Sequence, residues 1–242
     1  MKYEFEPIGV IQTPFRDKFG VPRQPSLVPA ARGVIQLNDN PDLRTALREL
    51  GQFSHIWLIF VFHSHDAKNW KPSVRPPRLG GAEKVGVLAS RSPHRPNPIG
   101  LSAVKLERID WENPKGVSIE VSGVDLIDGT PILDLKPYLP YADSIPQANA
   151  GWASDEIKKK KVVFNSELND ELLCIEKEHP GFRELVTQLL ALDPRPAYQS
   201  RLHATKEAAS GEYGFWVFNY DVQYRADAEH FEVFGLKKES KD

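Results

Sequence analysis

The chain has 242 residues, of which 40% are hydrophobic and 26% charged, as is usual for a folded globular protein with a sizeable core. Its formal net charge of -2 excludes a nucleic-acid binder that is basic throughout. The single cysteine, Cys174, excludes an internal disulfide and a multi-cysteine zinc site, and its apolar neighbours predict an inert core residue.

No segment of the sequence predicts membrane association. The longest apolar run, Ile56–Phe62, is far shorter than the roughly 20 residues that a membrane-spanning helix needs. The N-terminus is acidic and alternating, without the apolar stretch of a secretory signal. We therefore expect a cytoplasmic protein.

The first 145 residues predict mainly β-structure. Alternating apolar residues predict a strand over residues 3–12, and Asn40-Pro41 predicts a short helix that ends at Gly51. Further strands are predicted over Ile56–Phe62, Val85–Ala89, Leu101–Ile109 and Val117–Val121. No regular helix alternates with these strands, and the 20 prolines are unusual for a helical bundle. A closed β-barrel is therefore favoured over a doubly wound sheet.

The pattern changes after about residue 145. The lysine run Lys158–Lys161 is interpreted as a linker or a solvated helix start. Helices are predicted over Glu167–Lys177 and Phe182–Leu192, and β-structure over Tyr213–Tyr224 and Phe231–Gly235. The sequence thus predicts a mainly β protein with an N-terminal β-barrel over residues 1–148 and a small α+β domain over residues 149–242.

Several common types of site are absent from the sequence. It contains neither GxGxxG nor GxxxxGK[ST], the motifs that hold dinucleotides and nucleoside triphosphates. His63-Ser64-His65 offers only two metal ligands on one strand face, and no third ligand lies nearby. No metal is therefore predicted.

Two stiff polar loops suggest ligand contact. In Arg91–Ser102, three prolines within six residues follow a predicted strand and leave two arginines, a histidine and an asparagine free to project. Such a pre-organised set of donors is suited to an anionic or planar ligand. Val21–Ser26 is a second loop of this kind, again after a strand.

A third segment, Asp125–Tyr138, leaves two interpretations open. Asp128-Gly129 predicts a turn between apolar runs. Asp134 and Lys136 lie on one strand face, where they form either a simple ion pair or, with Tyr138, a polar active-site wall.

Positive charge is concentrated in one stretch. From Lys68 to Arg95 there are seven Lys or Arg residues against one acid, Glu83. Trp70 and the run Val74–Arg78 add an aromatic ring and rigid arginines, which suit unpaired RNA bases and phosphates. A solvated basic loop is the alternative. The residues alone thus indicate a small-ligand site beside an anionic polymer.

These motifs occur in an order that resembles a known family. The set comprises Gln24-Pro25, Phe60–His63, Arg75–Gly81, Arg91–Ser102, Asp128–Pro131 with Asp134, Lys136–Tyr138 and residues 193–198. Over essentially the whole chain it resembles the TsaA-like family, in its two-domain branch of TrmO-type tRNA methyltransferases. The resemblance implies a non-Rossmann β-barrel that binds S-adenosylmethionine. It also implies a homodimer that methylates N6 of threonylcarbamoyl-adenosine 37 in threonine tRNAs.

The resemblance also implies roles for individual residues. Cofactor contacts are expected at Gln24, Pro25, Ser26, His63, Ser64, Arg91, Leu101, Asp128, Gly129, Thr130 and Pro131. Asp134 and Tyr138 are candidates for the proton acceptor, with Lys136 polarising the modified group. Arg75, Arg78 and Arg95 are expected to hold the anticodon stem-loop of the tRNA.

Two other functions are compatible with the sequence. The first is a β-barrel methyltransferase that acts on a different acceptor, because the motifs define the cofactor more firmly than the substrate. A non-catalytic RNA-binding module is the second alternative, and it predicts RNA affinity that is indifferent to S-adenosylmethionine.

Overall fold

The computed structural model describes residues 3–65, 67–195, 211–226 and 230–239. The first part of the chain forms a closed six-stranded β-barrel. Its strands are β1 (Gly9–Gln12), β2 (Arg32–Leu37), β3 (His55–Val61), β6 (Ile99–Asp110), β7 (Ser118–Ser122) and β8 (Thr130–Pro137). Around the barrel they follow the order β1-β2-β7-β6-β3-β8, with antiparallel neighbours throughout. The predicted mainly β fold with an N-terminal barrel is confirmed.

Alternating side chains fill the barrel. Ile11, Ile35, Ile56, Ile119 and Ile132 point inward from five different strands and are fully buried. Their β-branched side chains fit the pleated inner surface, and closure pairs the edges that short strands would otherwise expose. The barrel is therefore a packed core, and ligands must bind at its ends or outside it.

Three long connections emerge at the same end of the barrel. Because neighbouring strands are antiparallel, β1, β3 and β7 end where β2, β6 and β8 begin. The connections at this end are residues 13–31, 62–98 and 123–129. They contain the loop Val21–Ser26, residues 91–98 of the loop Arg91–Ser102, and the Asp128-Gly129 turn, which the topology brings together.

The connection over residues 62–98 has little regular structure. It contains the two-residue strands β4 (Ser73–Val74) and β5 (Val85–Gly86), which pair with each other. It also contains three 3-10 turns, Ala67–Asn69, Pro77–Leu79 and Val87–Ala89. The strand predicted over Val85–Ala89 is therefore wrong beyond Gly86.

The second part of the chain forms a sheet covered by two helices. The sheet has the order β10-β11-β12-β9, from β9 (Lys161–Phe164), β10 (Gly211–Val217), β11 (Tyr220–Ala226) and β12 (His230–Lys238). Strand β9 runs parallel to β12, and α3 (Asn169–Glu178) and α4 (Phe182–Ala191) follow β9 in the chain. Preceding this unit are α2 (Pro140–Asp143) and a 3-10 turn at Gly151–Ala153, and a further 3-10 turn, Ser166–Leu168, precedes α3.

The two parts pack against each other through the connection over residues 13–31. The backbone N–H of Phe218 donates to the Pro14 carbonyl at 2.8 Å, and the Ala30 N–H donates to Gln188 Oε1 at 3.0 Å. Buried apolar residues of the barrel and of the second unit form one continuous core. The division at residues 148 and 149 stays a prediction.

The bounds predicted from local sequence are wrong for the first strand and for the end of the first helix. The first strand covers only Gly9–Gln12, since residues 3–7 have no partner strand in the described chain. Helix α1 (Pro41–Ala46) has the predicted N-cap, with Asn40 accepting from the Asp42 N–H at 2.8 Å. It ends at Ala46, however, with Leu47 as the C-cap, and Gly51 lies in the 3-10 turn Leu50–Gln52.

One prediction about the second unit is also wrong. Cys174 is exposed rather than buried, because Leu172 and Ile175 form the inner face of α3. The lysine run is a linker up to Lys160, as predicted, and its last residue, Lys161, begins β9. None of the described helices has the length and apolar character needed to cross a membrane.

Candidate functional site

A cavity of about 480 Å³ lies where the three connections meet, and we call it the barrel-end cavity. It extends over the barrel rim to Trp57 on the outer face. Six of the residues predicted to contact a cofactor line it: Gln24, His63, Ser64, Arg91, Leu101 and Thr130. The other five, Pro25, Ser26, Asp128, Gly129 and Pro131, lie outside its lining. The topology thus gathers residues from four separate motifs.

A hydrogen bond between two of the predicted loops forms part of the wall of this cavity. Arg91 Nη1 donates to Gln24 Oε1 at 2.7 Å. Gln24 belongs to the connection after β1 and Arg91 to the connection after β3, so this bond ties the loops together. The guanidinium keeps further N–H groups for a ligand.

The Asp128-Gly129 turn supports the cavity from behind. Asp128 Oδ1 accepts from the Thr13 N–H at 2.8 Å, and the Asp128 N–H donates to the Phe15 carbonyl at 2.7 Å. Gly129 has a φ of 74°, which favours glycine over residues with a Cβ. The turn therefore fixes Thr130, whose hydroxyl donates to the Ile127 carbonyl at 2.6 Å.

Ser26 has a structural role. Its φ is 63°, and its N–H donates to the Gly123 carbonyl at 2.8 Å. This contact joins the first connection to the third one. Ser26 and Gly123 thus hold the Gln24 loop in place from outside the cavity.

Asp125 and Ser102 also line the cavity, although neither was predicted as a site residue. The Ser102 hydroxyl, which is buried, donates to Asp125 Oδ1 at 2.6 Å. Burial raises the pKa of Asp125 to about 6, although the Ser102 hydrogen bond and the nearby Arg91 favour the ionised form. Asp125 is therefore a carboxylate that titrates close to neutral pH within the candidate site.

The remaining charges around the cavity are mostly positive. Lys18, Arg91 and Arg95 line it together with Asp125. At its margin the rings of His65 and His94 lie 4.3 Å apart, and burial lowers the pKa of both. Both histidines are consequently neutral at pH 7, and the lysine and arginines supply the positive charge.

The three catalytic candidates lie together but outside this cavity. Lys136 Nζ is 2.8 Å from Asp134 Oδ2, so the ion-pair interpretation of these two residues is realised. Tyr138 follows the end of β8, towards the opposite end of the barrel, and its ring lies 5.6 Å from that of Trp57. Trp57, whose ring lies beside Tyr138, also lines the barrel-end cavity.

The three predicted RNA-binding arginines separate into two places. Arg95 lines the barrel-end cavity and donates to the Ser90 carbonyl at 3.1 Å. Arg75 and Arg78 line a second cavity of about 850 Å³, which we call the junction cavity. It lies between the barrel-end loops, residues 152–158 and the end of α4.

Two family models match the chain. The tRNA-methyltransferase O N-terminal domain matches residues 10–144, and the TrmO C-terminal domain matches residues 157–239. The chain belongs to the TrmO family. The resemblance inferred from the motifs is confirmed.

Individual TrmO relatives cover nearly the whole chain. The tRNA (adenine(37)-N6)-methyltransferase of Escherichia coli K12 is 42% identical, over 97% of this chain and 98% of its own. A Pseudomonas aeruginosa protein, RcsF, named as a candidate S-adenosylmethionine-dependent methyltransferase, is 41% identical over 93% of both chains. The crystal structure of TrmO from Pseudomonas aeruginosa superposes with a TM-score of 0.77 and 34% identity, covering 98% of this chain and 99% of that one.

Within this TrmO-family fold, the described residues contain no group of three or more His, Cys, Asp or Glu side chains that could hold a metal.

Residues 196–198 of the last family motif lie outside the described residues. Its first part is visible: Arg195 is buried and its Nε donates to Asp193 Oδ1 at 2.8 Å. Arg23 Nη2 donates to the carbonyls of both residues, at 2.9 and 3.0 Å. The motif thus anchors the first connection to the second unit.

Proposed function

We propose that this chain transfers a methyl group from S-adenosylmethionine to N6 of adenosine 37 in a tRNA. One observation carries the proposal. Six residues predicted from four motifs to contact the cofactor line one cavity, in a chain 42% identical to an E. coli enzyme named for this reaction. Motifs that are far apart in the sequence would not be expected to line one cavity by chance.

The barrel-end cavity suits S-adenosylmethionine in size and chemistry. Its volume of about 480 Å³ is in the range of small-molecule sites. Phe60 and Trp57 provide apolar walls, Arg91 and Arg95 suit a carboxylate, and Asp125 suits a positive charge. The cofactor supplies an electrophilic methyl group on a positively charged sulfur. The chain's task is then to orient donor and acceptor and to exclude water.

The finer identity of the acceptor forms part of the proposal. From the family resemblance we expect a threonylcarbamoyl group on N6 of adenosine 37, in threonine tRNA. Arg75, Arg78 and Arg95 would hold the anticodon stem-loop, so binding should weaken steeply with salt. A tRNA substrate places the reaction in the cytoplasm.

A proton must leave N6 during or after transfer, because this nitrogen carries hydrogen and its lone pair is delocalised. Asp134 and Tyr138 are the proposed proton acceptors, with Lys136 polarising the carbonyl of the substituent. They lie outside both cavities of their own chain. We therefore propose that the protein acts as a homodimer in which these residues serve the partner's site.

Calorimetric titration of S-adenosylmethionine tests the cofactor assignment. We expect wild-type protein to bind, and Arg91→Ala to bind at least about tenfold more weakly, because a charge-assisted contact and the Gln24 bond are lost. Arg108→Ala is the control, since Arg108 pairs with Glu120 away from both cavities. Absence of binding by well-folded wild-type protein at millimolar ligand would remove the proposal.

A further inference from the structure

The junction cavity has no assigned occupant, and it adjoins the barrel-end cavity. The two share six lining residues, among them Gln24 and Arg91, whose hydrogen bond stands between them. A methyl donor and its acceptor must approach to about 3–3.5 Å. A cavity that shares a wall with the cofactor site therefore satisfies the first requirement for an acceptor site.

The excess of positive charge in the junction cavity indicates that its occupant carries an anionic group. The lining carries five positive side chains and two negative ones: Arg23, Arg75, Arg78, Arg91 and Lys158, with Asp155 and Glu156. Asp193 attracts Arg23 and Asp125 attracts Arg91 electrostatically, but among the described residues no carboxylate accepts a hydrogen bond from any of the four arginines. Among the described residues, all four donate only to carbonyl or amide oxygens and none forms an ion pair.

Arg75 and Arg78 are the best placed of these. Pro76 and Pro77 separate them, and a 3-10 turn begins at Pro77, so their spacing is stiff. Arg75 Nη1 donates to the Ala82 carbonyl at 2.6 Å, and Arg78 Nη2 donates to the Asp155 carbonyl. Each guanidinium is thus oriented by a neutral acceptor and keeps N–H donors for a planar anion.

The cavity also offers a surface for a base. The Trp152 indole lines it, and its Nε1 donates to the Ala89 carbonyl at 3.0 Å, which fixes the ring next to the Arg91 loop. Aromatic faces of this kind stack on unpaired nucleobases. Leu189 and Leu192 of the second unit close the opposite side.

We propose that the junction cavity holds the acceptor base, and that Arg75 and Arg78 bind a free carboxylate on its N6 substituent. The inference rests on the proposed function, in which that substituent is a carbamoyl-threonine. It refines the proposed stem-loop contact of Arg75 and Arg78, which then bind the modification on adenosine 37 and leave contacts with backbone phosphates to Arg95. It also gives the second unit a role, as one wall of the acceptor site.

The test compares two synthetic anticodon stem-loops, one carrying carbamoyl-threonine on N6 of adenosine 37 and one carrying carbamoyl-threoninamide. Binding is measured by fluorescence anisotropy without cofactor. We expect the wild-type protein to prefer the carboxylate by about tenfold or more. Arg75→Gln and Arg78→Gln, each checked by thermal melting, should each reduce this preference towards unity. Lys84→Gln, an exposed position outside the cavity, should weaken both stem-loops alike and keep the preference.

Two results would overturn the inference: equal wild-type affinity for the two stem-loops, or uniform weakening in the arginine variants with the preference intact. The latter is the signature of phosphate contacts. A methylation assay on the carboxylate stem-loop separates this failure from failure of the proposed function. Methylation without a carboxylate preference removes only the inference, whereas absence of methylation removes the function.

Discussion

At the scale of single residues, the Asp125 carboxyl group connects the protonation state of the protein to its proposed ligand. It lines the barrel-end cavity, where the other charged side chains, Lys18, Arg23, Arg91 and Arg95, are positive. Burial raises its pKa to about 6, and S-adenosylmethionine carries positive charge at its sulfonium and amino groups. Ionised Asp125 therefore attracts the cofactor, and protonated Asp125 does not.

The first prediction concerns cofactor affinity and pH. Affinity should fall as the pH decreases from 7 to 5, because Asp125 takes up a proton with a pKa of about 6. Asp125→Asn should bind weakly with little pH dependence in this range. Ser102→Ala should raise the pH at which half of the affinity is lost, since the lost hydrogen bond favoured the ionised form of Asp125. Calorimetry at several pH values checks this, and an unchanged pH profile in Asp125→Asn would contradict it.

The raised pKa of Asp125 also predicts how the stability of the protein depends on pH. The folded pKa of Asp125 lies above its ordinary value of 3.8, so the folded state binds more protons between pH 4 and 6. The free energy of unfolding should therefore fall as pH rises through this window, by up to roughly 3 kcal/mol. Asp125→Asn should lack this decrease and be the more stable protein at pH 7, as urea unfolding would measure.

Sequence signals found some site residues and missed others for a physical reason. Arg91 and Gln24 stand in proline-stiffened loops, so their exposure to a ligand could be predicted from local sequence. Asp125 and Ser102 acquire their importance from each other, across 23 positions of sequence, and from the burial that topology imposes. Local sequence does not encode that burial.

At the scale of elements, the pairing of β3 with β6 shapes the cavity wall. Gly100 stands opposite Phe60, and a Cβ at Gly100 would lie 2.2 Å from the Phe60 ring. Both residues line the barrel-end cavity. The glycine thus lets the Phe60 ring lie across the neighbouring strand and define the apolar wall.

Gly100→Ala should consequently destabilise the protein by about 1–3 kcal/mol and weaken S-adenosylmethionine binding, because the Phe60 ring must move. Gly86→Ala is a matched control, since a Cβ there meets no atom within 4 Å. Chemical denaturation and calorimetry measure the two effects. Wild-type stability and affinity in Gly100→Ala would show that the ring does not define the site.

Elements were predictable where local signals agreed with tertiary packing. The strands around Ile56 and Val104 and the helices of the second unit combine periodicity with burial, so they were found within a few residues. Strand β2 was not predicted: its central Gly33 and Gln36 weaken the pattern, and pairing with β1 and β7 stabilises it. Long-range pairing also decided that Lys161 belongs to a strand.

At the scale of the whole molecule, the barrel brings distant motifs to one end but leaves the Asp134–Lys136 pair on its outer face. Motif order and the absence of alternating helices favoured a barrel, although they did not specify its strand order. The closed antiparallel order then explains why three loops meet and why Tyr138 does not join them. A partner chain is the proposed source of the proton acceptor.

Mixing two variants tests this arrangement. Asp134→Asn and Arg91→Ala should each lose most methylation activity alone. If Asp134 serves the partner's site, random mixed dimers restore one intact site in half of the dimers, or about a quarter of wild-type activity. No recovery, with mixed dimers demonstrated by differential tagging, would place Asp134 in its own chain's site. Full turnover by Asp134→Asn and Tyr138→Phe alone would remove both residues from catalysis.

The measurement that tests the central claim most directly is methyl transfer to defined tRNA. The full chain is incubated with methyl-labelled S-adenosylmethionine and two tRNA pools, one carrying threonylcarbamoyl-adenosine 37 and one lacking the threonylcarbamoyl group. Nucleosides are then identified by mass spectrometry. We predict label on N6 of adenosine 37 in the first pool and none in the second. Absence of label from both pools, or label on another nucleoside, would contradict the proposed function.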